Sequence, residues 1–562
     1  MKDPLLRPAL RRQRRRLVGG VTLLCLHQAT EALVPVTIGV IIDRAVATSD
    51  SGALVMSLAA LAVLFTVLAM CWRYGARLSF GAGEHEAHFA RVKIAERALD
   101  SRGQRSGLRD GELLSIAASD ADQSAEAIRT VGMAAAACTA LLVSATALIM
   151  VDPGLGAGVL LGVPLVLLGL QRLAPLLTRR SDAQQAALAE TTALAVDLVA
   201  GLRVLRGIGA QHHAAGRFAV ASENALKSTL RAANTKGLHL GLTTAVNGLL
   251  LAAVTGVAGW LALDGRITVG ELVAVIGLAQ FIAEPVQTLG WCVQELATAR
   301  ASAGRVARVL DAAPAVRPGT AGEPVPAGVR VDLQDVGYGT LTGLDLRMVA
   351  GETVGILAHD PRDAEALLAL LAGTVAREDY RGSLRIDGIP AESLQLTASR
   401  GVVLVEQHDV ALFEGTLREN LAVGTGAADP NLLAAVRVAA AEDVVEAHPE
   451  GLGHVLVERG ANLSGGQRQR VALARAVAAD PPVLVLHDPT TAVDAVTEAL
   501  LAERLTTARG GTARATVIVT SSPALLRAAD RVVVLDGGKV TAEGTHEELV
   551  AAEPRYREAV LR

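Results

Sequence analysis

Six apolar stretches, at residues 17–42, 53–72, 131–151, 154–170, 240–263 and 271–289, constrain this 562-residue chain more than any other feature. A helix needs about 20 apolar residues to cross a bilayer core, and a helix is one of the few structures that satisfies its own backbone polar groups in lipid. Six helical spans are therefore expected. Their connections alternate in length: those at 43–52, 152–154 and 264–266 are short, while those at 73–129 and 171–239 are long, charged and helical in pattern. Lys2, Arg7, Arg11, Arg12, Arg14, Arg15 and Arg16 precede the first stretch. A signal peptide or twin-arginine leader also begins basic, but this apolar run is too long for a signal core and further spans follow it. As a positive-inside anchor the arginines put the N-terminus in the cytoplasm. Both long connections then fall on the cytoplasmic side, as helices continuing beyond the membrane.

Composition agrees with a bilayer location, since 51% of residues are hydrophobic and mean hydropathy is +0.38. A net charge of -4 and only 2% aromatic residues argue against nucleic acid as a partner. Cys25, Cys71, Cys138 and Cys292 are scattered through or beside apolar stretches without metal-ligand spacing, and read as small hydrophobes in a reducing setting. The Ala-, Arg- and Leu-rich composition hints at a GC-rich bacterium, so the expected site is a bacterial inner membrane.

Beyond residue 310 the texture changes. Pro314, Pro318, Pro324 and Pro326, with Gly319, Gly322 and Gly328, mark a linker. Short β-type runs at 329–333, 402–405, 483–486, 517–519 and 532–535 then alternate with Ala/Leu-rich helical segments, the pattern of an α/β domain. The expected division is a membrane domain at 1–312, a linker at 313–328 and an α/β domain at 329–562.

Within that domain the string Leu463-Ser464-Gly465-Gly466-Gln467 opens a helix. A serine hydroxyl and glycine N–H groups at a helix start form an anion cradle; the plain alternative is a capped helix with a glycine turn. With the residues behind it, this string resembles the signature sequence of ABC ATPases. The resemblance extends to Gln407 as the Q-loop glutamine, to Glu458, Arg459 and Gly460 as the X-loop of exporters, to Asp494 as the D-loop aspartate, and to 111–115 and 201–210 as the two intracellular loops. It covers nearly the whole chain and implies an exporter-type half-transporter, an all-α six-span domain fused to an α/β nucleotide-binding domain. The coupling elements are expected near 101–112 and 203–211.

The nucleotide-site residues depart from that family's pattern. A phosphate loop needs glycine N–H groups, a lysine for the terminal phosphates and a hydroxyl for Mg²⁺. Aligned without a gap, this chain has Ala364 at the lysine position and Glu365 at the hydroxyl position, with Pro361 removing a donor and Asp360 and Asp363 adding negative charge. His487 stands for the Walker B carboxylate, Asp488 for the catalytic glutamate and Ser522 for the switch histidine. Tyr338 lies near the adenine-stacking position, which strict register gives to Thr340. Losing three charge-assisted contacts removes about 5–9 kcal/mol, against about 8 kcal/mol for micromolar ATP binding. Hydrolysis in this chain's own site is not expected. Asp360, Pro361 and Asp363 instead read as an N-cap, first and third helical position, putting carboxylates where phosphate normally meets the helix dipole.

In the family each ATP, with its Mg²⁺, lies between one chain's Walker motifs and the other's signature. The resemblance thus implies a heterodimer, in which Ser464, Gly465, Gly466 and Gln467 complete a site whose Walker residues come from a second ABC half-transporter. The alternatives are an ATP-independent homodimeric channel, sensor or scaffold, and an exporter-fold importer, for instance of a siderophore. The cargo, a small molecule, lipid or peptide, has no readable signature. Polar residues inside the spans, His27 and Glu31 in the first and Gln280 and Glu284 in the sixth, are candidates for a substrate cavity, or equally for helix-to-helix hydrogen bonds. Gly154, Gly158 and Gly162 share one face of the fourth span and predict close helix packing.

Overall fold

The structure is a computed structural model that describes residues 6–171, 174–424, 426–511 and 513–561. It divides into two compact units: one holds residues up to Ala95 together with Leu108–Asp311, the other Glu96–Gly107 with Ala312–Arg562.

The first unit is helical. Among the described residues five segments are long and apolar enough to cross a membrane: Arg14–Val46, Ser51–Ala98, Gly111–Val151, Gln211–Leu263 and Val269–Leu310. The fourth apolar stretch forms the helix Pro153–Gln171, many of whose side chains lie outside the described set. In Ser51–Ala98 only 6% of the most apolar window is buried within the chain, leaving Val55, Met56, Leu58 and Val63 exposed. Apolar surface on that scale calls for lipid or another membrane helix. The cytoplasmic extensions are clamped by ions: Arg305 holds Asp120 in a fork at 2.7 and 2.6 Å. Among the described residues, Gly158 and Gly162 make no close helix contact. A Cβ at Gly158 would meet nothing within 4 Å, and one at Gly162 only Leu250 at 3.9 Å.

In the second unit a six-stranded sheet runs in the order Lys539–Gly544, Arg531–Asp536, Thr353–Ala358, Ala515–Val519, Val483–His487, Val403–Glu406. It is parallel except for the outermost Lys539–Gly544. Its inner strands are buried on both faces, which is why they read as continuous apolar runs. Four antiparallel strands, Leu341–Val349, Val329–Tyr338, Arg381–Ile386 and Ile389–Pro390, form a second sheet. One core joins the two, with Leu333, Leu344 and Met348 facing Ile356, Val485 and Leu367.

The segment Glu96–Gly107 belongs to this unit through backbone and side-chain bonds. Arg105 N–H donates to Ala313 O at 2.9 Å and Val316 N–H to Arg102 O at 3.0 Å. Arg105 also pairs with Asp379 at 2.6 Å, and Arg400 donates to Ser101 O at 2.7 Å. The residues at 101–107 thus form part of the nucleotide-domain unit, while the short helix Leu202–Gly207 lies exposed in the other.

Candidate functional site

The strand Thr353–Ala358 ends at the C-terminal edge of the parallel sheet, where ligands of open α/β folds bind. Only His359 and Asp360 separate it from the helix Pro361–Leu371. His359 N–H donates to Leu535 O at 3.0 Å. Asp360 is the N-cap, and its carboxylate accepts the Arg362 N–H at 2.9 Å and the Arg362 guanidinium at 2.6 Å. These bonds hold the Asp360 carboxyl below the usual carboxylate range, the Arg362 side chain contributing most. Pro361 occupies the first turn, where its missing N–H costs nothing. Asp363, 1% exposed, accepts the Gly538 N–H at 3.0 Å.

The helix therefore begins three residues before the position aligned with the Walker lysine. Ala364 is 3% exposed and packed in the apolar core, while Glu365 is exposed. Glu365 and Asp488 both lie within electrostatic reach of His487 at the end of the strand Val483–His487. Burial pushes the His487 imidazole below its ordinary value, against the pull of Asp488. His487 Nε2 sits 3.8 Å from Asp488 and its ring 5.9 Å from that of His408. Asp488 adopts a left-handed backbone (φ 45°) and donates its N–H to Val519 O at 2.9 Å. Ser522 caps the helix Pro523–Ala528 by accepting the Leu525 N–H at 3.3 Å. Tyr338 is half-buried against the core, and Thr340 lies in the turn that follows it.

The signature region is built differently. Ser464 caps the helix Gly465–Ala478 in a reciprocal box, its hydroxyl accepting from Gln467 N at 3.2 Å and Gln467 Oε1 accepting from Ser464 N at 2.9 Å. Ser464 is exposed, and Gly465 and Gly466 are partly so. Gly466 permits a tight backbone approach: a Cβ there would stand 2.5 Å from Ala492 O. Gln469 fastens the same junction, donating to Thr491 Oγ1 at 2.7 Å and accepting the Ala492 N–H at 2.8 Å. Asp494 caps the helix Ala495–Arg509 by accepting from Val496 N and Thr497 N at 3.1 and 3.0 Å, which lowers its pKa.

Gln407 is exposed just beyond the strand Val403–Glu406. Its neighbour Glu406, paired with Arg475 at 2.7 Å, ties that strand to the signature helix. Glu458 and Arg459 are exposed in a single helical turn, with Arg459 left-handed (φ 55°) and Gly460 buried behind them. Sequence reasoning missed Gln469 and Glu406 as organising residues. Their only sequence signal was a polar residue amid an apolar periodicity. In the membrane unit, His27 Nε2 stands 3.6 Å from Glu31, and its Nδ1 lies 2.9 Å from Leu68 O. Glu284 is close enough to Glu31 for their charges to interact, and Gln280 is exposed one turn before it.

A helical membrane domain followed by this two-sheet α/β domain is the architecture of an ABC transporter half. The chain belongs to the ABC transporter family: residues 17–286 match the ABC transporter transmembrane region and residues 341–491 the ABC transporter domain. It is 33% identical over 428 residues to the mycobactin import ATP-binding/permease protein IrtB of Mycolicibacterium smegmatis, covering 74% of this chain and 72% of that protein. It is 34% identical over 404 residues, 70% of its length, to a multidrug efflux ATP-binding/permease protein of Mycobacterium bovis, and spans only 33% of that longer relative. An ATP-dependent lipid A-core flippase of Acinetobacter baylyi is 31% identical over 368 residues, 64% of this chain and 63% of the flippase. A bacterial Atm1-family ABC exporter solved with ATP bound superposes with a TM-score of 0.76 at 22% identity, covering 98% of this chain and 99% of that one. The chain is accordingly an integral membrane protein of exporter fold.

Proposed function

We propose that this chain is the signature-donating half of a heterodimeric, ATP-driven transporter with one working ATP site, whose Walker residues belong to a second ABC half-transporter. The observation that carries this reading is a contrast within one domain. Where phosphates would bind, two residues lead directly into a helix whose start is already capped by Asp360 and backed by buried Asp363. Beside it, the Ser464 turn is exposed with its cradle intact.

Nucleotide and Mg²⁺ do not fit this chain's own strand end. The helix-start N–H that would meet a phosphate is taken by Asp360, and the lysine position is Ala364, buried in the core. Negative charge on Asp360, Glu365 and Asp488 opposes a polyphosphate. Hydrolysis is therefore assigned to the partner's side. There the Ser464 hydroxyl and the Gly465 and Gly466 N–H groups supply donors to the terminal phosphate, and Gln469 holds them in register with the D-loop. ATP-driven closure then switches the spans from inward- to outward-facing, with 101–112 and 203–211 carrying the coupling.

The resemblance to a protein named for mycobactin import, over 74% of this chain, supports a second reading for direction alone: the same machine running as a siderophore importer.

The test is to co-express the chain with the ABC half-transporter encoded beside it, purify through a tag on this chain, and compare ATPase activity of wild type and Ser464→Arg. Co-purification with activity that the substitution abolishes is expected. Purification alone with ATPase activity would overturn the reading, and purification alone and inert would favour a homodimeric non-transport role.

A further inference from the structure

The strand Val455–Leu456 pairs with Gly415–Thr416 and leads, through the single turn Glu458–Gly460, to Leu463 and the Ser464 cap. Residues 457–463 fold back on themselves: Gly460 N–H donates to Val457 O at 2.8 Å, and Leu463 N–H to Gly460 O at 2.9 Å. Leu463 is buried, and Arg468 of the helix Gly465–Ala478 donates to its carbonyl at 3.0 Å. Whatever holds this turn therefore holds the start of that helix. Asn462 is the side chain that does so. Its Oδ1 accepts the Val457 N–H at 3.2 Å, and its Nδ2 donates to Val455 O at 3.1 Å. These two backbone contacts fix which way round the amide lies.

The Asn462 Nδ2 also stands 3.1 Å from His454 Nε2. An amide NH2 group only donates, so this Nε2 must offer a lone pair, and the imidazole is neutral with its proton on Nδ1. The ring plane is set from outside the turn. His448 lies flat on His454, with ring centroids 3.4 Å apart and planes 3° from parallel. A proton on His454 Nε2 would set donor against donor and end the contact. A first proton on His448 leaves the contact in place, and its charge then opposes a second proton across the stack. No carboxylate offsets that repulsion. The helices Glu442–Glu446 and Leu417–Leu421 pack on the turn Gly451–Gly453 between the two histidines. Their charged groups are engaged elsewhere: Glu442 with Arg504 at 2.6 Å, Asp443 with Arg470 at 2.5 Å, Arg418 with Asp429 at 2.7 Å, and Glu419 with the Thr416 N–H at 2.7 Å. Glu414, Glu446, Glu450, Glu458 and Arg459 are exposed, and among the described residues none pairs with either imidazole.

We propose that His454 is a positioning residue for ATP hydrolysis at the shared site: as a neutral acceptor it holds Asn462, and with it the turn ahead of Ser464, and protonation of the stacked pair in acid releases that turn. The inference rests on the role of Ser464 in the partner's ATP site proposed above. Histidine is the side chain that changes charge between about pH 5 and 8. Loss of one exposed hydrogen bond changes the opening equilibrium of the turn about fivefold.

The experiment uses the co-expressed complex in lipid nanodiscs, from about pH 7.5 down to about pH 5. Hydrogen–deuterium exchange, corrected for the chemical rate at each pH, reads the backbone of residues 455–463, with the buried strand Val483–His487 as the reference for global opening. In the unsubstituted complex, exchange at 455–463 rises about fivefold in acid relative to that strand, and ATPase activity falls with it. His454→Gln brings a side-chain oxygen near the Nε2 position with no proton to gain. The turn then stays protected, and about fivefold more of the neutral-pH activity survives in acid. His448→Phe keeps a ring to stack on but no second charge, so one proton on His454 suffices and both transitions move to higher pH. Exchange at 455–463 that does not change with pH would overturn the proposal. So would an acid response in His454→Gln equal to the unsubstituted one, or a transition in His448→Phe that stays put or moves to lower pH. The exchange is read on this chain's own backbone without nucleotide. Failure of Ser464→Arg to abolish ATPase activity would strike at the shared-site reading instead, so the two failures are separable.

Discussion

Asp363 is the residue on which the proposed loss of the nucleotide site bears most directly. Buried and bonded to Gly538 N–H, it has become a structural acceptor. Asp363→Ala leaves that backbone donor unpaired and lowers stability by about 1–3 kcal/mol, whereas Asp363→Asn keeps an acceptor and recovers most of it; thermal melting of the purified complex distinguishes them. Ala364→Lys does not rebuild a phosphate site, because the position is 3% exposed and lies in the core. The expected outcome is a loss of about 3 kcal/mol or more from an uncompensated buried amine, with no gain in nucleotide cross-linking to this chain. His487 and His546 are both held below the ordinary imidazole value by burial. Below about pH 6.5 the unfolded chain then binds more protons than the folded one, so stability falls as pH falls through that range and is flat above it. Melting temperatures between pH 7.5 and 5.5 check the slope, and His487→Gln reduces it. Register alone places Ala364, Glu365, His487, Asp488 and Ser522 at the expected lysine, hydroxyl, acid and histidine positions. That the helix starts early and turns Ala364 into the core was foreshadowed by Asp360 and Pro361, yet which face Ala364 takes is decided by packing against the second sheet.

The helix Gly465–Ala478 and the turn at 491–494 are joined into one unit by direct contacts. Gly466 lets Ala492 O approach, and Gln469 bonds Thr491 and Ala492 N–H. Gln469→Ala should leave the helix folded but loosen this junction, lowering ATPase of the complex about tenfold, the equivalent of ~1.4 kcal/mol, with little change in KM. The Ser464–Gln467 cap was readable because its residues are contiguous; the bridge was not, because it joins positions 22 and 23 residues apart. The fourth-span glycines mark the limit of periodicity: a shared small-residue face states that a helix can be approached closely, and among the described residues nothing lies within 4 Å of a Cβ at Gly158. The α/β strands were legible because those buried on both faces are written as unbroken apolar runs. The run at 402–405 begins its strand one residue later, after the helix Leu396–Val402.

At the scale of the whole molecule, the membrane helices leave much of their apolar surface uncovered by their own chain, and the α/β domain keeps an exposed, capped turn at Ser464 beside a strand end already filled by its own carboxylates. The first feature calls for lipid or other membrane helices, and the second, on the reading proposed above, for a catalytic partner. The measurement that tests this most directly is nucleotide stoichiometry in the purified complex, trapped with vanadate and cross-linked with an azido-ATP probe. One trapped nucleotide per two chains is expected, with label on the partner's Walker side and none trapped in Ser464→Arg. Two nucleotides per complex, or label at the strand end beside His359 and Asp360 in this chain, would contradict it.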